Sequence, residues 1–590
     1  MLYYNRGVIM IIKEIIGNQV IVSFDKNADI NYMNNFILFK DTRLIVGEVI
    51  EIKDNLVVIL IGEIINNNFI NGINNKPSLK ATVSLVNPLY IPSIISYPKN
   101  IVTLSIGKSP IYNQPIYMNL DSFFNSHFSI IGGTGSGKSW ALSIIVQNLL
   151  KQREYIPLNA TLFVFDTYGE YKNAFLDLEK NNNYISYKSL TTNLESNEEI
   201  LKIPPYLLDV DDLAILLNAT TSNQLLVIEK ALELVKIFGS AGDDVTKIKN
   251  NIISKTIIDI LLSGRPSVQI RDQIFSILSF YNTSELNLET EIIQPGYKRA
   301  LKHCIQIDAD GKIQEIELLT KFFSNYLISD NEYFVPKQRI TYSLKDLEVA
   351  LDFALISEGI LKSEKIYDEN NQLKTRIHNL VQGEYSTYFD YHELVSKEEY
   401  INSLIYKNNK KSQLINIDIN YIDDRFAKNI VKIISKMLFD VVKIIKPRGS
   451  MPYHIILEEA HRYVLNDNDV NLLGYNIFER IAKEGRKYGI LLGLITQRPS
   501  ELSETVISQC NNFLILKMTH PKDTEYIKNL IPYITEEVSK KLQIIQPGNC
   551  YVFGPAFKVS TLVTLDKPNP TPESNNVNII NTWFKKNEMQ

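Results

Sequence analysis

The stretch Ile131-Gly132-Gly133-Thr134-Gly135-Ser136-Gly137-Lys138-Ser139 carries the spacing G-x-x-x-x-G-K-S in full. An apolar run, Phe128-Ser129-Ile130-Ile131, precedes it, and Trp140-Ala141-Leu142-Ser143-Ile144-Ile145-Val146 follows as a helical pattern. That is the strand, loop and helix a phosphate-binding P-loop needs. Glycines without side chains let backbone N–H groups converge on phosphate oxygens. The N-terminus of the following helix adds partial positive charge. In this setting Lys138 reaches the β- and γ-phosphates of ATP and Ser139 holds Mg2+. Gly132, Gly133, Thr134, Gly135, Ser136, Gly137, Lys138, Ser139 and Trp140 are therefore the expected ATP-binding residues. A dinucleotide fingerprint fails, because the glycines at 133, 135 and 137 are spaced by two.

A P-loop needs acids and a sensor from other strands. The run Tyr453-His454-Ile455-Ile456-Leu457 ends in Glu458-Glu459. Side chains alternate along a strand, so adjacent acids can take different tasks. Glu458 is expected to hold the Mg2+ shell and Glu459 to act as general base on the attacking water. Leu491-Leu492-Gly493-Leu494-Ile495-Thr496 reads as a buried strand ending in Gln497, placed to sense the γ-phosphate. The basic end of the preceding helix offers Arg486 as a finger for a neighbour's phosphates, with Arg480 nearby as the alternative. Thr161–Phe165 reads as a strand ending in Asp166, and Glu170 follows in a Gly-containing loop. Ligands in open α/β sheets sit at the carboxyl ends of strands, so both acids are candidates near the phosphates or at a subunit boundary. His127, alone beside the P-loop strand, reads as structural.

The rest of the chain reads as a wrapping around this core. Residues 1–100 look all-β, with runs at Gly7–Ile12, Asn18–Phe24, Leu44–Ile52 and Leu56–Ile61 and close turns between them, which suggests a small barrel. Residues 101–120 connect it to the nucleotide domain. From 195 to 345 helical patterns dominate, as in Leu225–Ile237 and Ile252–Ile260, and read as an insertion between core strands. The segment Asn408–Ser412 is a basic turn, Leu414–Ile419 a strand, and Asp424–Ile445 a long amphipathic helix stopped by Lys446-Pro447-Arg448-Gly449. The expected division is 1–100, 101–194, 195–345, 346–565 and a tail, 566–590. Cys304, Cys510 and Cys550 show neither metal spacing nor an even disulfide set, which favours a reducing compartment. No apolar run reaches spanning length, so the expected location is cytoplasmic. The net charge of −4 does not announce a nucleic-acid binder, yet a basic channel can sit inside an acidic particle.

Five stretches taken in order resemble the HerA family of ring-shaped ATPases, relatives of the FtsK DNA translocases. They are the P-loop; Asp166-Thr167-Tyr168-Gly169-Glu170-Tyr171; Leu457-Glu458-Glu459-Ala460-His461; Glu484-Gly485-Arg486-Lys487-Tyr488-Gly489; and Thr496-Gln497-Arg498-Pro499-Ser500. Thr375-Arg376-Ile377-His378 and Gln546-Pro547-Gly548-Asn549-Cys550 also look like family features. The resemblance implies an α/β fold, a RecA-like P-loop core with a helical insertion behind an N-terminal β-barrel. It implies a homohexamer with double-stranded DNA in its channel, moved or unwound at the expense of ATP. It also implies a separate effector, a nuclease or a sirtuin-like NAD-consuming protein, in DNA end processing or anti-phage defence. That effector is expected to dock on the N-terminal barrel face. The alternative is a scaffolding ring that assembles and activates the effector, with DNA movement secondary. A conjugation or secretion coupling ATPase is disfavoured by the missing membrane segment.

Overall fold

The computed structural model describes residues 10–24, 32–33, 35–100, 102–308, 312–357, 364–531, 534–573 and 579–583. The chain forms two compact units. One comprises 1–199, 401–467 and 476–590; the other comprises 200–400 and 468–475.

The first unit begins with an antiparallel sheet. Ile11–Ile16 and Gln19–Ser23 form a hairpin about Gly17-Asn18, and Leu44–Ile52 and Leu56–Ile65 form a second. Phe36–Lys40 and Thr82–Leu85 complete the path, and Met10 bridges Val83, so the sheet curls until its two ends touch. Period-two alternation buries Val20, Val22, Val49 and Val58 on the inner face. The first strand lies further along than the expected Gly7–Ile12. The Gly17 turn sets its register by pairing Ile16 with Gln19, while residues 7–9 lie outside the described residues. Phe36, Val46, Ile64 and Phe69 pack in one apolar cluster with Phe128, Ile130, Leu142 and Ile145. The N-terminal sheet therefore shares its core with the P-loop strand and helix.

The central sheet has, among the described residues, eleven strands. Seven run parallel, in the order Tyr187–Thr191, Leu414–Asp418, Leu162–Asp166, Tyr453–Leu457, Ile490–Thr496, His127–Ile131 and Cys510–Ile515. Four of them, Leu162–Asp166, Tyr453–Leu457, Ile490–Thr496 and His127–Ile131, are buried along their whole length, as a parallel sheet covered on both faces requires. Asn549–Phe553, Thr561–Leu565, Thr103–Lys108 and Pro115–Asn119 extend it antiparallel. The expected connector after residue 100 is thus part of the core sheet. The long helix spans Asp424–Ile444; the Asp423 carboxylate caps its first turn and fifteen of its residues are buried.

The second unit is mainly helical. Ser222–Gly239, Asp243–Leu261, Ser267–Phe280 and Leu344–Ser357 carry it, with a hairpin at Glu291–Gln294 and Tyr297–Ala300. The expected edge at 345 is corrected to 400, with 468–475 added. The helix Leu344–Ser357 packs along Ser222–Gly239, and Arg376, on the helix Glu364–Gln382, donates to the carbonyls of Leu217 and Asn218 at another helix end. Arg376 is therefore a helix-terminating donor here. Among the described residues no helix is long and apolar enough to cross a membrane.

Candidate nucleotide site

Four parallel strands deliver their carboxyl ends to one edge. Ile131 stands beside Thr496, and Phe165, Leu457 and Leu494 lie in register. The residues that follow each strand meet there: the P-loop, Asp166 with its loop, Glu458-Glu459 and Gln497.

The P-loop is held by its own backbone. Gly133 N donates to Lys517 O (2.8 Å), Gly132 N to Thr496 O (3.2 Å), and Gly548 N to Ser136 O (2.9 Å). The Gln546–Cys550 stretch thus braces the loop. Gly137 sits at φ 107°, a left-handed conformation that disfavours a side chain, directly before the helix Lys138–Leu150. Lys138 Nζ lies 3.4 Å from Gly133 O and 4.0 Å from Glu459 Oε1. Burial lowers the Lys138 pKa, and Glu459, Glu458 and Glu170 oppose that shift. Thr134 Oγ1 donates to Gln497 Oε1 at 2.8 Å, which places the expected sensor on the loop. Trp140 is half-buried with Lys567 Nζ 5.9 Å over its ring.

The acid pair diverges sharply. Glu459 adopts φ 46°, rare for a residue with a side chain and worth about 1–3 kcal/mol of strain. That turn sends its carboxylate to Lys138 and to His461 Nδ1, 3.2 Å away. Burial would raise the Glu459 pKa, but His461 and Lys138 outweigh it and hold the carboxyl below the usual range. Glu458 points elsewhere. Its Oε2 accepts from Thr167 N at 3.0 Å, and its carbonyl accepts from Thr167 Oγ1 at 2.9 Å. Burial pushes the Glu458 pKa well up, and the charge of Asp166 beside it adds to the rise.

Asp166 organises the adjoining loop. Its carboxylate accepts from Glu170 N (3.0 Å), Tyr171 N (2.9 Å) and Asn416 Nδ2 (3.3 Å). Ser139 Oγ donates to Glu170 Oε2 at 2.9 Å, so Glu170 reaches the P-loop directly. From the other side, Glu573 N donates to Glu170 O. Residues 569–573 run across the P-loop helix: Gln147 bonds Asn569 N and Pro570 O, and Asn173 bonds Thr571 O. The first part of the expected tail is therefore a strap, while 574–578 and 584–590 lie outside the described residues.

The two arginines stand apart from this edge. Arg486 is exposed in the last turn of the helix Ile477–Tyr488, before the strand Ile490–Thr496 that ends at Gln497. A strand of that length spans about 20 Å, so Arg486 is at the far end of the sheet from its own P-loop. Arg480 is half-buried, 3.9 Å from Glu484 and 5.3 Å over the Phe439 ring. His127 is structural: its Nδ1 accepts from Leu492 N and its Nε2 faces Ala482 O. Sequence reasoning passed over His461, Thr167 and Asn416 as members of the site. Only His461 carried a signal, its place beside the acid pair.

The oxygen donors present suit ATP with a hard cation such as Mg2+. Ser136 Oγ is buried and lacks a hydrogen-bond partner in the protein, as an atom awaiting phosphate would. A cavity of about 360 Å³ opens beside Gly133, Thr134, Gln497, Arg498 and Lys522.

A parallel sheet with a P-loop, an acid pair and a polar Gln497 side chain at its carboxyl edge defines a P-loop ATPase with a RecA-like core. The family described as "Helicase HerA, central domain" matches residues 104–438, more than half of the chain, and the protein belongs to that family. A Methanocaldococcus jannaschii relative, "Probable DNA double-strand break repair helicase HerA", is 23% identical over 475 residues, covering 80% of this chain and 78% of its own. The "DNA double-strand break repair helicase HerA" of Sulfolobus acidocaldarius is 23% identical over 484 residues, covering 82% and 73%. Among solved structures, VirB4 of Thermoanaerobacter pseudethanolicus aligns with a TM-score of 0.46 at 12% identity, over 80% of this chain and 98% of that one.

Proposed function

We propose that the chain is the ATP-hydrolysing subunit of a homohexameric ring that moves double-stranded DNA through its channel and works with a separate effector. One observation carries the ring. Lys138, Ser139, Glu459 and Gln497 gather at one edge of the sheet, while Arg486 stands exposed at the other. An arginine so placed serves a neighbour's γ-phosphate, so each site is completed by the next subunit. Lys138 binds the phosphates, Ser139 the cation, Glu459 takes the proton of the attacking water, and Gln497 senses the γ-phosphate through Thr134. The names of the curated relatives support DNA as the substrate and end processing as its setting. Anti-phage defence uses the same motor with a different effector.

The effector docks on the N-terminal sheet, where Ile11, Ile16, Ile65 and Ile70 are exposed. Six weak contacts on one platform give tight binding through effective concentration.

The test is ATPase activity with and without duplex DNA, alongside DNA affinity against salt. Stimulation by DNA is expected. Log affinity should fall linearly with log salt, with a slope of about −0.9 per neutralised phosphate. An assembled ring that neither binds DNA nor responds to it refutes the motor and leaves the scaffolding ring.

A further inference from the structure

We propose that Glu170, and not Glu458, is the carboxylate that holds the nucleotide's divalent cation together with Ser139. The proposal rests on the ATPase reading above and sharpens it.

The direction of hydrogen bonds decides between the two acids. A serine that binds a cation uses an oxygen lone pair, so its proton must go to an acceptor. In this chain the Ser139 hydroxyl donates to Glu170 Oε2, 2.9 Å away. That bond turns the lone pairs of Ser139 outward and sets a negative charge beside the place the cation takes. Glu458 is committed elsewhere. Its carboxylate is occupied by Thr167 N and lies against Asp166, and it is 4% exposed.

The backbone of Glu170 is fixed from two sides. The Asp166 carboxylate accepts from Glu170 N, and Glu573 N donates to Glu170 O. The side chain extends from this held backbone over the first turn of the P-loop helix and is half-exposed there. Asp166 and Glu458 thus act as positioning residues: one aims the loop, the other braces it through Thr167. Magnesium is usually held by one or two carboxylates plus phosphate oxygens and water, a set Ser139 and Glu170 complete.

Manganese binding gives a readout independent of turnover. Full-length wild type, Glu170→Gln, Glu170→Asp and Glu458→Gln are each saturated with ADP, and free Mn2+ is counted by its electron paramagnetic resonance signal. Trp140, adjacent to Ser139, reports ADP binding without metal by fluorescence. Glu170→Gln should weaken Mn2+ about 10- to 100-fold, the usual cost of removing such a partner. Glu170→Asp keeps the charge and should fall in between. Glu458→Gln should stay within about twofold, because an amide can accept from Thr167 N and donate to Asp166. ADP affinity without metal should stay unchanged in all three, with unaltered melting temperatures. A tenfold loss of Mn2+ in Glu458→Gln, or none in Glu170→Gln, overturns the assignment. Wild type that binds no ADP overturns the ATPase reading itself.

Discussion

Glu459→Gln should slow turnover and tighten ATP binding together. Lys138 Nζ lies 4.0 Å from Glu459 Oε1, and both side chains are nearly buried. At an effective dielectric of about 20, that pair is worth about 4 kcal/mol of attraction. ATP must draw Lys138 away from Glu459 and bring its γ-phosphate near the same carboxylate. Glutamine removes both costs and keeps the shape. Water, Glu170 and the retained amide dipole compensate most of the charge, leaving on the order of 1.4 kcal/mol, or about tenfold in Kd. Hydrolysis should fall about 10²- to 10⁴-fold, since an amide cannot take the proton of the attacking water. Equilibrium binding of ATP followed by Trp140 fluorescence, with steady-state phosphate release, measures both. Lys138→Ala is the contrast: it should lose affinity as well as turnover. Wild-type turnover in Glu459→Gln refutes the base. Slowed turnover with weakened binding refutes the electrostatic account of the Lys138 pair.

Three further outcomes follow from named contacts. His127 and His454 are buried and neutral, with burial lowering each pKa to about 4. The unfolded chain takes up protons below about 6.5 and the folded one does not, so stability is full above pH 6.5 and falls toward pH 4. At pH 5.5 the loss should be about 1.4 kcal/mol per histidine; urea melts at pH 7.5 and 5.5 should show it, and His454→Gln should remove half. A Cβ at Gly493 would stand 2.4 Å from Phe128 Cζ, and Phe128 is itself stacked on Phe123. Gly493→Ala should therefore cost about 1–3 kcal/mol by thermal melting, and an unchanged melt would mean that Phe128 moves freely. Mixing Arg486→Ala with Glu459→Gln subunits should restore hydrolysis at sites that pair an intact base with an intact finger; mixtures no faster than either parent exclude Arg486 from that role.

The elements of the site were legible because their signals are local. Glycine spacing and apolar runs revealed the P-loop strand and helix, and a continuous apolar run ending in acids revealed Tyr453–Leu457. The helix expected over Asp424–Ile445 is observed at Asp424–Ile444 because fourfold apolar spacing and a capping aspartate act within one turn. Strand alternation gave the acid pair two roles, Glu459 as base and Glu458 at the cation, but the directions of the two carboxylates were not legible, because their divergence depends on the left-handed turn at Glu459, which no side chain announces. Nor was the Ser139–Glu170 contact, which exists only because the strands ending at Asp166 and Ile131 share one sheet edge. The insertion's edge was misplaced for a related reason. The helix Leu344–Ser357 has an apolar face that fits either unit by pattern, and its packing on Ser222–Gly239 is tertiary.

The position of the P-loop strand in the sheet bears on how the protein is made. His127–Ile131 is flanked by Ile490–Thr496 and Cys510–Ile515, and Ser129 bonds a carbonyl 365 residues further along. At about 5–20 residues per second, a ribosome needs roughly 20–70 seconds to supply those neighbours. Throughout that interval a largely apolar strand waits with both edges open, the state in which chains aggregate. ATP cannot stabilise the nascent chain meanwhile, since the loop that would grip it is braced by Thr496, Lys517 and Gly548. The growing polypeptide must rely on chaperones or on its N-terminal sheet, which emerges before the P-loop strand and carries Phe36, Val46 and Phe69 to cover it.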